Sequence, residues 1–370
     1  MLFEHLSRLL PAGMQGGVSD YSDFTVEELT AMSIWQRLAI RDWRLELFTV
    51  GFIAIFALLF KAGDFYNQSK VTSFLKKLKP VLERNFYQVG VGEGKLYIKD
   101  NAEAYSSYAT GRSNIAKVDI KLNLVPRENL FVWILESVLS FFSATVKAPE
   151  DIVEFTITPS IEYDNFIAAI VSKLGMNEAR KLNYFLSLCK TSDSPNLPES
   201  FVYMSEANEF QEKITTNELK NALTLKSASF IKLIAITDQP VEKPENIREL
   251  YPRRRIVVSC NITNNAANIK VIEDVLDALF SFVDKLANKQ ITFRPEAVKR
   301  VVKTRETEIE KIRKVHEEAQ KEKLAEEKAK QKREERDKLR ALSREEQIKL
   351  EKKAQEKQQK KLQRKQKVKM

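Results

Sequence analysis

Histidine is nearly absent from this 370-residue chain: His5 and His316 are the only two. The long stretch between them has no imidazole to act as a general base or to ligate zinc, which excludes histidine-dependent hydrolases and most zinc enzymes. Cysteine is equally scarce. Cys189 and Cys260 stand 71 residues apart, so neither a disulfide framework nor a CxxC metal site is supported, and a reducing compartment is the simpler expectation. HExxH, GxSxG and the kinase set are missing, and the carboxylates of the middle region are scattered singly among Lys and Arg, as on a solvated face. Neither catalysis nor a bound cofactor or metal is expected.

Acidic excess is also lacking. Residues 296–370 hold 27 basic and 16 acidic side chains, while residues 1–295 are close to neutral, so the net +10 resides in the C-terminal tail. LFTVGFIAIFALLF, residues 47–60, is an uncharged and almost wholly apolar run of fourteen. By length alone it suits a buried helix, but its flanks suit a membrane. Trp43 precedes it, Phe65 and Tyr66 follow it, and Arg44, Glu46 and Lys61 sit where long side chains reach the interface. A span over residues 43–66 is expected, with Trp43, Leu47, Phe60 and Tyr66 as its anchoring residues. The opening MLFEHLSRLL lacks the basic leader and cleavage site of a signal peptide, so the span would serve as its own signal. Lys61, Lys70, Lys76, Lys77 and Lys79 on the C-terminal flank outnumber Arg37, Arg41 and Arg44 on the other, which predicts a cytosolic C-terminal side and a lumenal segment over residues 1–42. The sequons at Asn67 and Asn261 would then stay unused.

Residues 67–294 alternate strand and helix signals and are long enough for one substantial core, an α+β domain. The pattern predicts an amphipathic helix over 70–86 and a hairpin over 88–99 turning at GVGEG. It predicts strands at 118–124, 152–158, 229–237 and 255–263, and a helix from Ala179 to Cys189. The glycines of GVGEG precede the strand-like KLYIK, which speaks against a phosphate-binding loop. Ile272, Val275, Leu276, Leu279, Val283 and Leu286 share one face of a closing helix that Pro295 ends. FVWILESVLSFF, residues 131–142, is too short to span; a core helix is the expectation, a helix lying in the bilayer interface the alternative.

The tail from 295 to 370 must be helix or coil. Val298, Val302, Ile309, Ile312 and Ala319 sit near heptad positions, so a coiled coil is possible early, and Glu–Lys pairs at helical spacing support an extended solvated helix beyond. After Glu356 the acids stop, and Lys357, Lys360, Lys361, Arg364, Lys365, Lys367 and Lys369 accumulate into a cationic tip whose natural partner is a polyanion. Only Leu362 and Val368 oppose these charges, which favours RNA over anionic lipid.

The ordered set of span, α+β domain, YATGR (Tyr108 to Arg112), RPEAVKR (Arg294 to Arg300) and the ending KQKVKM resembles the calumin family of endoplasmic reticulum membrane proteins, the coiled-coil subunit of the PAT complex, from about Trp43 to Met370. That resemblance implies an intramembrane chaperone component beside the Sec61 channel in the multipass translocon, with client transmembrane helices and membrane lipids around it and its C-terminal helix directed at the ribosome. Animal members carry a long acidic lumenal region linked to calcium. Residues 1–42 here hold only Glu4, Asp20, Asp23, Glu27, Glu28 and Asp42, and no such calcium role is implied. The rival from another class is a lipid-handling or contact-site protein, whose domain would shelter an acyl chain.

Overall fold

The computed structural model describes residues 24–35, 44–92, 94–142 and 148–341, with residues 356, 359 and 360 besides. Two compact units divide the chain: Met1–Thr156 with Ser259–Glu273, and Ile157–Val258 with Asp274–Met370.

In the first unit a short helix, Val26–Ala31 (α1), is held by a reciprocal cap in which the Thr25 and Glu28 side chains each accept the other's backbone N–H, and it buries no residue. The 42-residue helix Arg44–Asn85 (α2) follows. The expected span and the expected amphipathic helix are therefore one continuous element. Its two halves live in different surroundings. Residues 52–62 are all exposed, whereas Asn67, Val71, Phe74, Leu75, Leu78, Val81 and Leu82 recur at helical spacing and are buried. Each large apolar side chain so buried stabilises by about 2 kcal/mol relative to exposure.

The strands Gln88–Val89 (β1), Ile98–Lys99 (β2), Ala104–Thr110 (β3) and Ile115–Asn123 (β4) come next. Then follow the helix Leu130–Phe142 (α3) and the strand Ile152–Pro159 (β5). Within this unit the order is β1-β3-β4-β5, and β2 also pairs with β3. The expected hairpin over 88–99 is corrected. Only its tip pairs with itself, through Gly92 and Lys95, while β1 and β2 both lie antiparallel along β3. A tight return at Gly90, where an added Cβ would meet the Lys95 carbonyl oxygen at 2.5 Å, spends the residues that a regular hairpin ladder would need. β4 alternates as predicted, with Val118, Ile120 and Leu122 buried between exposed Lys117 and Lys121.

YATGR has a physical account. Ala109 is fully buried in β3, and Gly111 turns the chain at φ 95° where a Cβ would strike that of Tyr87 at 2.6 Å. Arg112 donates to the Asn85 carboxamide at the end of α2.

The second unit contains the strand Ala168–Ser172 (β6), the helices Met176–Leu182 (α4) and Tyr184–Ser187 (α5), and the strands Lys190–Ser192 (β7) and Phe201–Ser205 (β8). It continues with the helices Asn208–Ile214 (α6) and Asn217–Ala222 (α7), then the strands Ile231–Thr237 (β9) and Arg255–Asn261 (β10). The helix Ala266–Ala287 (α8) and the 47-residue helix Pro295–Ala341 (α9) follow; the end of β10 from Ser259 and the start of α8 up to Glu273 are counted in the first unit. The strand order is β10-β9-β6-β8-β7, with β9, β6, β8 and β7 antiparallel in succession. Every residue of β6 and β8 is buried, which explains why these strands read as continuous apolar runs rather than alternating ones. Phe166, Phe210 and Phe293 form an aromatic trio with centroids 4.7 to 5.1 Å apart. The predicted face of α8 is buried throughout.

Two boundaries differ from expectation. The single helix from Ala179 to Cys189 is two short ones, because Asn183 is extended and its amide donates to the Ala179 carbonyl, 2.8 Å, closing α4. Pro295 starts α9 rather than ending α8, occupying the first helical position, where its missing N–H costs nothing.

Each long helix is fastened by buried charge. In the first unit Arg127 reaches Asp151 with two parallel contacts of 2.8 and 2.7 Å, donates to the Asn67 carbonyl oxygen at 2.9 Å and lies over the Tyr66 ring at 5.2 Å. Lys70 adds a second cation to Asp151. In the second unit Arg305 of α9 grips two carboxylates. Its contacts are 2.7 and 3.1 Å to Glu206, and 2.7 and 3.1 Å to Asp238, both acids being almost wholly buried.

Replacing Asp151 with Asn leaves Lys70 and Arg127 facing each other, and is expected to destabilise the first unit by about 3 kcal/mol, read as a lowered melting temperature in detergent. Burial raises the Asp151 carboxyl, but hydrogen bonds from Arg127, Lys70 and the Val125 N–H outweigh it and bring it to about 2. Because the folded value is depressed, this stabilisation is present above the ordinary carboxylate range and disappears as pH falls toward 2. An unchanged melting temperature in D151N would contradict the assignment. Arg305→Ala strands two buried carboxylates and is expected to cost about 3 to 5 kcal/mol, with faster amide exchange across 297–312. Arg305→Lys should recover only part of it, since an ammonium cannot hold two carboxylates bidentately, and Arg313→Ala, at an exposed position, should change nothing.

Candidate membrane and polyanion interfaces

The first half of α2 supplies the one helix among the described residues that is long and apolar enough to cross a membrane, and none of its apolar window is buried. Leu47 and Phe60 both lie on it, exposed. Tyr66, exposed under the Arg127 guanidinium, marks the place where the helix enters its folded unit. Trp43 lies outside the described residues.

Gly63 sets that junction. A Cβ there would stand 2.3 Å from the Arg127 carbonyl oxygen and 2.6 Å from the Glu128 nitrogen, so only glycine lets the 127–128 backbone lie directly on the helix. Four residues later Asn67 is fully buried, and its amide donates to the carbonyl oxygens of Val125, 3.1 Å, and Ala102, 3.4 Å. A glycan on Asn67 is incompatible with this packing.

The loop pressed on Gly63 leads into α3, and here the expectation of a core helix is overturned: α3 buries none of its residues. Phe141 and Phe142 are 86% and 81% exposed. The half-covered positions after Leu130 are Val132, Glu136 and Ser140, one stripe at a spacing of four, so the only charge of α3 lies on its covered side and the large apolar residues lie outside. Glu136 acts there with Glu128 on Glu103. Burial, then a hydrogen bond shared with Glu128, pushes the Glu103 carboxyl above its usual range.

On the second unit the candidate is α9. Ala297 and Val301 are buried, and Val298, Arg305, Glu308, Ile309 and Ile312 continue their face half-covered. Of the early heptad residues Val298, Ile309 and Ile312 are thus half-covered within the chain itself, whereas Val302 and Ala319 are exposed. The Tyr184 hydroxyl donates to Glu308 at 2.7 Å, and His316 Nε2 lies 2.8 Å from the Glu245 carbonyl oxygen. RPEAVKR is the root of this helix: the Arg294 N–H donates to Glu209 at 2.9 Å, and Pro295 opens the first turn.

From Arg313 to Glu334 every side chain is exposed. Of the predicted cationic tip, Lys360 is helical and exposed. Lys357, Lys361, Arg364, Lys365, Lys367 and Lys369 lie outside the described residues. Arg305 escaped sequence reading because it is one cation among many; its signal is its place on the stripe of Val298, Val301, Ile309 and Ile312.

Two clefts of the second unit bear on ligand chemistry. One of about 650 Å³ is lined by Asn246, Arg248, Glu249, Arg313, His316 and Glu317 among others, and a second of about 320 Å³ by Glu218, Asp274 and Asp277. Charged side chains border both clefts, with Ile247 among the residues of the first. Both cysteines are buried free thiols. Desolvation holds Cys189 well above the usual thiol range and pushes Cys260 up to about 12.

Comparison with known proteins covers both of these surfaces. Residues 42–361 match the family described as PAT complex subunit CCDC47. The UPF0674 endoplasmic reticulum membrane protein YNR021W of Saccharomyces cerevisiae is 27% identical over 335 residues, 82% of this chain and 83% of that protein. The UPF0674 endoplasmic reticulum membrane protein C2G5.01 of Schizosaccharomyces pombe is 28% identical over 305 residues, 80% of this chain and 81% of that protein. With its apolar helix, its α+β middle and most of its charged tail inside a single match, the chain belongs to the CCDC47 family of PAT complex subunits.

Proposed function

We propose that the chain is a non-enzymatic, single-pass protein of the endoplasmic reticulum membrane that assists the biogenesis of multipass membrane proteins at the ribosome-bound Sec61 translocon, as an intramembrane chaperone and scaffold. One observation carries the reading: the family match runs unbroken from residue 42 to residue 361, from the exposed apolar half of α2 to the edge of the cationic tip. In this reading α2 crosses the bilayer over residues 43–66 and residues 1–42 are lumenal. The α+β region 67–294 is cytosolic, as the excess of lysines after the span favours. The tail from 295 reaches the ribosome, where Lys357, Lys360, Lys361, Arg364, Lys365, Lys367 and Lys369 meet ribosomal RNA phosphates. Other multipass-translocon subunits, client transmembrane helices and membrane lipid are the remaining partners. The buried, fully bonded Asn67 agrees with an unglycosylated, cytosolic position.

The tip is the testable part. Removing residues 357–370 is expected to weaken co-sedimentation with ribosomes while leaving the melting temperature unchanged. For the intact chain, binding should fall with salt along a log–log slope of about −4 to −6, as a handful of phosphate contacts requires. Full-strength binding by the truncated chain, or binding indifferent to salt, would place the contact elsewhere.

A further inference from the structure

The outward face of α3 has no covering among the described residues of its own unit, and its polarity is inverted. Water on the outside and protein on the inside would require the reverse arrangement. Here Glu136 and Ser140 lie on the half-covered stripe, close enough to Glu103 for the Glu136 charge to act on it, while Phe131, Ile134, Leu135, Val138, Phe141 and Phe142 are exposed. A helix whose apolar residues face out and whose single acid faces in is suited to an apolar solvent.

The start of α3 is also located along α2. The 127–128 backbone rests on Gly63, and the Phe131 ring stacks with Phe56, centroids 6.3 Å apart. Phe56 precedes Lys61, the first cation on that side of the apolar run, by five residues, or about 8 Å of helix. Phe131 therefore stands level with the interior of the run. If α2 crosses the bilayer, the first turn of α3 is already below the headgroups.

We infer that α3 is a second membrane-embedded element, a monotopic helix whose outward row contacts lipid acyl chains in the leaflet at the C-terminal end of the span. At thirteen residues it is about 20 Å long, short of a hydrocarbon core of about 30 Å, so it enters one leaflet and does not cross. Its occupant is lipid rather than a partner protein because the exposed row meets the exposed surface of α2 at Phe56, and its exposed Ser137 returns its hydroxyl to the Trp133 carbonyl oxygen at 2.7 Å instead of offering it outward. The inference rests on reading α2 as the span.

The test is collisional accessibility of nitroxide labels on the full-length chain reconstituted in phosphatidylcholine vesicles. Cys189 and Cys260 are buried, so labels report introduced cysteines: Val138→Cys and Phe141→Cys on α3, Ile53→Cys on α2, and Tyr87→Cys, at an almost fully exposed position of the folded unit. Lipid-embedded sites collide freely with oxygen and rarely with a water-soluble nickel chelate; sites in water do the opposite. The expected result is an oxygen-to-nickel ratio several-fold higher at positions 138, 141 and 53 than at 87. A dry position 53 with wet 138 and 141 overturns the inference and leaves the span intact. A wet position 53 overturns both. Labels at 138 and 141 shielded from both probes mean that protein covers α3, which also overturns it.

Discussion

Arg127 is the side chain on which the placement of the exposed apolar half of α2 and of the start of α3 depends. Its guanidinium joins Asp151, Asn67 and the Tyr66 ring, and those bonds press its own backbone onto Gly63. A long helix leaving a lipid-like surrounding for a folded core changes solvent within one turn, and its side chains must be satisfied on both sides of that turn. The apolar stripe from Val71 to Leu82 holds the helix to the core but could tolerate a slip along its axis. Bidentate pairing cannot. The cluster therefore sets where the exposed apolar half begins and where α3 starts beside it.

The same device, with the opposite charge balance, fastens the second long helix. One guanidinium, Arg305, is shared by Glu206 and Asp238, and these acids have further donors in the Ile167 N–H and the Gln239 amide. Such clusters gain little over a well-packed apolar contact, yet breaking one is costly. They give a helix a unique register at its root. Beyond that root the side chains of α9 from Arg313 to Glu334 are exposed, and oppositely charged residues at helical spacing support the solvated helix.

Elements with one polar and one covered face were legible in the sequence. The β4 alternation and the stripe of α8 read correctly because water and core impose opposite demands on neighbouring residues. The failures share a physical cause, in that composition does not name the solvent. FVWILESVLSFF reads as core because a buried helix and an uncovered apolar one share the same composition, and only the exposure of its apolar residues around the half-covered Glu136 distinguishes them. The span over 43–66 and the amphipathic helix over 70–86 read as separate elements because the apolar pattern changes from all-round to one-sided, whereas the helix continues through 67–69. Arg305 was hidden by the density of charge around it. Asn183 reads as the interior of one helix but ends α4, and Pro295 reads as the end of α8 but opens α9, because a cap depends on backbone geometry that residue type only biases.

The central claim is that the exposed helix carries a cationic tip to ribosomal RNA while the other end of the chain stays in the membrane. Ultraviolet crosslinking in intact cells, followed by purification of the full-length chain and identification of both the attached RNA and the crosslinked peptides, tests it most directly. The account predicts ribosomal RNA as the dominant species, attached through peptides after Glu356. Crosslinks absent from that segment, or spread without preference across the chain and across cellular RNAs, would contradict it.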